Sequence, residues 1–555
     1  MPGPRWLVGV VMLVACGGGP NKDSVFECDV STAPSPTPMR RLSHDQYRQT
    51  VHHAIERLGG SVLRERVGER VDALIDRIPD DFADETLSRE DQVISQTHAE
   101  QWYLVAETVA DGVRTLDPLP CDDPLCVPEF IETQGSRLLR HPLNDEERTF
   151  FGSIYDAVPD HADGIRDLVL VWLSHPMFVM QVEHGASEDG SDTTALTGPE
   201  LASRLSYHAW NAPPDDALWT KALDGSLLDE AVYVAEVERL FDDGRSRGPR
   251  ERFFRDWLQL DTVPRLDLQV GQPRFDAFRG DVTPTAELSE LVRDDTLNLL
   301  EWHIRNRSPL DDVFTAAVHT VTEPEVGALY GTNQLWDGHS DPETLTTGHG
   351  GLLTRPAFHV AGTASTRPIR KGVLIRRRIL CDSLGDPPAD LGPEPEIDPA
   401  ATQRQRTEQL TEIEGSICAG CHTFVNPLGY ATERFDGLGR ARTQETVWGL
   451  EGERLATSPV DDEGMLRIEA TDETVTAGHE ALAEALADSA KTDACLARFW
   501  FRHTWGRHED EAVDGCVLQG VEQRLQQGES LDEALRAIAL DPTFRQRRFD
   551  EGETP

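Results

Sequence analysis

Three reciprocal caps, each followed by an apolar stripe, commit this chain to helices. Ser43 stands three residues before Gln46, Thr197 before Glu200, and Ser530 before Glu533. At that spacing the hydroxyl takes a first-turn amide proton, and the Gln or Glu side chain bonds back to the cap residue's own amide. Tyr47, Val51, Ile55 and Leu58 then fall on one helical face, as do Leu201, Leu205 and Ala209. Pro199 sits in the first turn of its helix, where a missing N–H costs nothing. The stretches "GSLLDEAVYVAEVERLF" and "PRERFFRDWLQL" are amphipathic too, and Asp215 or Asp216 caps the helix starting in "PPDDALW". Strand-like patterning is confined to 443–475. The fold class expected is therefore mainly α, a multi-module helical protein with a small β element near 443–475.

A chain of 555 residues is too long for one core. The polar stretch 186–198 and the Pro-rich "DPPADLGPEPEIDPAA" (386–401) break helical periodicity, and there is no repeat of fixed period. These breaks divide the body into helical modules at 39–118, 119–185 and 196–335, a module at 346–442 and a C-terminal helical module at 443–550.

Before the body comes "MPGPRWLVGVVMLVAC", one Arg and an apolar run too short to span a bilayer, ending in Cys16. "LVAC" resembles a bacterial lipobox. The expectation is a signal peptide over 1–16, lipidation of Cys16, a flexible tether over 17–38 and export to an oxidising compartment. Gly17 is not Asp, which by resemblance to Gram-negative sorting rules favours the outer membrane over the inner. The membrane is thus an expected partner, through the lipid. The net charge of −45 argues against nucleic acid and against docking on an anionic lipid surface.

The chemistry-bearing stretch is "SICAGCHTFVNPLGYATERFDGLGRAR", residues 416–442. Cys418, Cys421 and His422 form C-x-x-C-H, the pattern of c-type haem attachment, expected by chance about 0.005 times in such a chain. Two thiols three apart on one helical turn can both add to the haem vinyl groups. His422 would then be the proximal iron ligand, its other ring nitrogen held by a backbone carbonyl, with Pro427 in the loop that supplies it. The sixth ligand is unassigned; Met465, His479, His503 and His508 lie downstream. A thioredoxin-like dithiol lacks its βαβ context, and zinc lacks a second ligand pair. A disulfide between Cys418 and Cys421, with the helical middle as a binding scaffold, remains the alternative. Of the other cysteines, Cys121 and Cys126 suit a local bridge and Cys495 and Cys516 a staple between adjacent helices. That leaves Cys28 with Cys381. "GHGG" (348–351) has no nucleophile elbow beside it, and H-E-x-x-H, the P-loop and G-x-G-x-x-G are absent. No catalytic set stands out, and enzymatic activity stays open.

In its order of motifs the chain resembles a family of secreted, multi-module planctomycete and myxobacterial proteins of unknown function, the planctomycete-type cytochrome-c-like proteins. "RRLSHDQYRQTVHHAI", "CVPEFIETQGSRLLRHPLNDEE" and "LASRLSYHAWNAPPDDALW" with "ERFFRDWLQLD" are similar to its first three modules. "GLLTRPAFHVAGTASTRPIRKGVLIRRRIL" with the C-x-x-C-H stretch resembles the fourth, and "DACLARFWFRHTWGR" with "LDEALRAIALDPTFRQRR" the last. The resemblance implies a candidate haem site and extracytoplasmic electron transfer with an unidentified redox or protein partner. Members often carry Met-Asp-Pro where this chain has Val425-Asn426-Pro427, so a Met ligand at that place is missing here. For "PLGYATERFDGLGRAR" the expectation is a packed loop. Pro427 and Gly429 should break the helix, Tyr430 and Phe435 dock, Gly437 and Gly439 turn, and Asp436 bond backbone amides or pair with Arg440.

Overall fold

The computed structural model describes residues 24–549, apart from 31, 38, 80, 82–92, 187–192, 345–347 and 386–395. The signal peptide with Cys16, the start of the tether and most of the Pro-rich break lie outside the described residues. The protein is helical with short two-stranded β elements, as the caps and stripes require. Among the described residues no helix is long and apolar enough to cross a membrane.

Ser43 caps α1 (His44–Ile75) by the reciprocal bonds its spacing predicts. The helix bends at Gly60, whose φ of 55° is readily open only to glycine. α2 (Gln96–Arg114) packs back on α1, and α3 (Asp145–Asp156) and α4 (His161–Ser174) complete the layer. Val51, Leu63, Val105, Leu168 and Trp172 lie in one continuous core. The expected modules 39–118 and 119–185 therefore fold as one unit, because neither helix pair covers its own apolar face. β1 (Arg40–Arg41) pairs with β2 (Met180–Gln181) and closes it.

A second, larger core follows. β3 (Thr193–Ala195) leads into α5 (Gly198–Trp210), α6 (Asp216–Leu223), α7 (Glu230–Asp242), α8 (Arg247–Trp257) and α9 (Leu288–Arg305). Asp215, not Asp216, caps α6. α10 (Pro368–Leu374) and α11 (Ile417–Tyr430) belong to the module carrying C-x-x-C-H. Two hairpins fill the expected β region, β4 (Gln444–Trp448) with β5 (Arg454–Pro459) and β6 (Glu463–Met465) with β7 (Val475–Ala477). α12 (Gly478–Ala487), α13 (Ala490–Trp505), α14 (Glu511–Gln526) and α15 (Leu531–Leu540) end the helical part, and β8 (Gln546–Arg548) returns to pair with β3. Leu205, Phe253, Trp257, Leu300, Trp500 and Ile538 share this core, so the last three expected modules are also one packed body.

The tether expectation fails over its second half. Residues 24–30 and 32–37 lie along the C-terminal helices. Phe26 is buried. The buried Glu522 accepts from Ser24 Oγ at 2.5 Å and from the Val25 amide at 2.7 Å. Two of the three expected bridges are also corrected. Cys121 does join Cys126, but Cys28 joins Cys516 and Cys381 joins Cys495. Cys495 points inward from α13 onto the end of the α10 segment, where its sulfur also meets the Arg378 carbonyl. Cys516 sits beside Gly515, over which the strap passes so closely that a Cβ there would lie 2.0 Å from the Glu27 carbonyl oxygen. The two cysteines thus serve different faces of neighbouring helices.

Candidate functional site

α11 begins where Ser416 accepts the Ala419 amide proton on its hydroxyl at 3.2 Å. The first turns then present Cys418, half-buried, Cys421, exposed, and His422, half-buried. Neither thiol is bridged, so the expected alternative, a Cys418–Cys421 disulfide, is not formed. Ile417, next to Cys418 in the chain, has 71% of its surface exposed, and Ile413, on the segment before the helix, 51%.

The orientation of His422 is decided by a chain of bonds behind it. Its Nδ1 lies 3.0 Å from Asn426 Oδ1, one turn along the helix. The fully buried Asn426 gives its amide protons to Glu412 Oε1 at 2.7 Å and Thr411 Oγ1 at 3.0 Å. Glu412 as a carboxylate only accepts, and Thr411 has spent its own proton on the Thr407 carbonyl. The Asn426 oxygen must therefore face His422, so Nδ1 carries a proton and, in the neutral ring, Nε2 holds the lone pair. Nε2 has no partner among the described residues. Tyr430 also donates to Glu412 Oε1, at 2.8 Å, and Arg404 lies over the Tyr430 ring. Burial and then the bond to Glu412 push that phenol's pKa far above its usual range, so it stays a donor. The backbone carbonyl expected near Pro427 is replaced here by the Asn426 side chain.

Pro427 does not end the helix, as expected, but lies inside it. A proline disturbs the carbonyls one turn back. Here Arg376 approaches the Phe424 carbonyl with two nitrogens, at 3.0 and 3.2 Å. Gly429 also stays helical, because α10 crosses too close for any side chain. A Cβ on Gly429 would lie 2.0 Å from the Pro368 carbonyl oxygen, and one on Gly372 would lie 2.0 Å from that of Val425. The "PLGYATERFDGLGRAR" tail then wraps the base. Glu433, buried, takes Lys371 at 2.8 Å, Thr366 at 2.7 Å and Arg442 at 2.9 Å. Burial opposes its charge, but Lys371 and Arg442 outweigh it and lower the carboxyl pKa. Asp436 does both things expected of it, accepting the Leu438 and Arg440 amides and pairing with the Arg440 guanidinium. Phe435 is fully buried among His349 of "GHGG", His359 and His479.

Of the four downstream residues considered for the iron, Met465 lies on β6, which packs against α11. Its sulfur accepts from Arg467 Nε at 3.2 Å, while that guanidinium covers Phe424. His479 is buried beside Phe435, and the half-buried His503 stacks on Trp500. His508 is exposed next to α14. Nothing in the sequence marks Asn426, Glu412, Glu433 or Lys371 as site residues. Glu412 lies 14 positions before Asn426 on another segment, and no local spacing signals the pair.

Residues 196–332 match the family profile PSD4, protein of unknown function (DUF1592), and residues 349–445 match PSCyt3, protein of unknown function (DUF1588). These are consecutive modules of the family its motifs resemble. The PSCyt3 match contains the whole C-x-x-C-H turn, the α10 crossing and the Glu433 cluster. No curated protein and no solved structure matches the chain.

Proposed function

We propose that the protein is an exported lipoprotein, anchored through Cys16 in the outer membrane, whose Cys418–Cys421–His422 turn holds a covalent c-type haem for electron transfer. The observation that carries this reading is the His422 network. A proximal ligand must offer one ring nitrogen and have the other tied, and Glu412 through Asn426 imposes that state. The two thiols fit as well. They are unbridged one helical turn apart, while the other six described cysteines are all paired. A haem bound there supplies a one-electron couple. The protein's own contributions are the close α10–α11 crossing, the hydrogen-bonded imidazole and the exposed apolar side chain of Ile417 next to Cys418.

The test is expression of the full chain in a host with c-haem maturation machinery. A haem-staining band at the mass of the chain, resistant to denaturant and lost in Cys418→Ala with Cys421→Ala, is expected. His422→Ala should keep the stain and shift the visible spectrum. A chain exported and folded but free of covalent haem would leave the dithiol as a structural or redox pair and end the proposal.

A further inference from the structure

The strap of residues 24–37 is caught at its very start. Glu522, fully buried on α14, accepts from Ser24 Oγ and from the Val25 and Phe26 amides. Gln519, one turn earlier on the same helix, gives its amide to the Phe26 carbonyl at 2.7 Å. Phe26 is buried with Arg498 of α13 over its ring, and the Cys28–Cys516 bridge ties the strap covalently two residues further on.

Ser24 comes eight residues after Cys16. Whatever its path, a chain of that length reaches at most about 29 Å. A body of this size has a radius of gyration of about 24 Å, so it is roughly 60 Å across. A lipid on Cys16 therefore holds the body on a leash of about half its width, and the faces far from Ser24 cannot reach the membrane. A tether running free to residue 38 would reach about 75 Å and let any face turn inward.

The face around Ser24 suits neutral headgroups. Val25 is exposed, and Val30, 90% exposed, stands on the turn that the Thr32 amide closes on the Asp29 carbonyl. Glu27 and Asp29 are exposed on the strap, as is Glu511, which pairs with the same Arg498 that covers Phe26. Their charge repels an anionic lipid.

We infer that the protein sits on the bilayer with this face down, residues 24–30 and the strap-bearing side of α14 lying against zwitterionic headgroups. The inference rests on the lipid anchor proposed above. The acyl chains supply affinity, while Glu522 and the Cys28–Cys516 bridge supply orientation.

The test uses the full chain matured in a host that processes lipoproteins, reconstituted into phosphatidylcholine vesicles whose headgroups carry a nitroxide that quenches tryptophan. Gln523→Trp places a reporter on the strap side of α14, one turn from Gln519, and Leu125→Trp places one on the first core. Both sites are exposed, so neither substitution disturbs packing. Quenching beyond that of the parent is expected for Gln523→Trp and none for Leu125→Trp. Adding Phe26→Ser, Cys28→Ser and Cys516→Ser to Gln523→Trp frees the strap. The leash then grows from eight residues to about 20, so the body's local concentration at the membrane, and the added quenching with it, should fall about fourfold. An anchored chain in which Gln523→Trp adds no quenching, Leu125→Trp is quenched as strongly, or freeing the strap changes nothing would overturn the inference and leave the anchor standing. A chain without the diacylglyceryl mass on Cys16 would end both.

Discussion

Replacing Gly429 by Ala should destabilise the protein although it improves the helix. In an isolated helix the change gains about 1 kcal/mol. In this one the added methyl would lie 2.0 Å from the Pro368 carbonyl oxygen and 2.6 Å from its carbon. α10 and α11 must then part by about an ångström or more, an overpacking that costs ~1–3 kcal/mol in a tight core. Parting them also stretches the buried Lys371–Glu433 pair and the bonds from Arg376 to the Phe424 carbonyl. Weakening these adds ~1–2 kcal/mol. The net expectation is a loss of ~2–4 kcal/mol, read as a lower urea midpoint by circular dichroism. Gly420 supplies the control. It lies in the same helix with nothing within 4 Å of its missing Cβ, so Gly420→Ala should stabilise by ~0.5–1 kcal/mol. A Gly429→Ala protein as stable as the parent, or one moving in the same direction as Gly420→Ala, would refute the crossing as what positions the site.

Asn426→Leu should cost ~1–3 kcal/mol, because Glu412 and His422 Nδ1 lose their shared partner. In nitrogen-15 NMR the parent haem-free protein should show the Nδ1–H form of His422, and the variant should lose that preference. Cys28→Ser should release the strap and cost on the order of 4 kcal/mol, since its bridge spans 488 residues, with new proteolytic cleavage before residue 37 as the readout. Acid should weaken the fold. Burial lowers the pKa of His208 and His303 to about 3, against an ordinary 6.5. Between those values the unfolded chain binds more protons than the folded one, so stability is full above pH 6.5 and falls toward pH 3, by up to ~1.4 kcal/mol per group per pH unit. His303→Leu should flatten that slope; an unchanged urea midpoint profile from pH 7 to about 4 would contradict it. Cys16→Ala should move the protein from the membrane fraction to the soluble one.

The sequence was sufficient for whatever depends on neighbours along the chain. The caps at Ser43, Thr197 and Ser530, the stripe from Tyr47 to Leu58 and the hairpins in 443–475 follow from periodicity and local hydrogen bonding. So do the short Cys121–Cys126 bridge and the Asp436 turn. The three residues of C-x-x-C-H were legible for the same reason, being one helical turn. What needed the tertiary structure was every relation set by two helices meeting. The fusion of five sequence modules into two large cores, the partners of Cys28 and Cys495, and the survival of α11 through Pro427 all depend on surfaces far apart in sequence. The tautomer of His422 is the sharpest case. Asn426 is four residues away, but which way its amide points is decided by Glu412 on another segment, because a carboxylate can only accept. Local spacing put the imidazole next to the thiols; the fold chose which of its nitrogens faces outward.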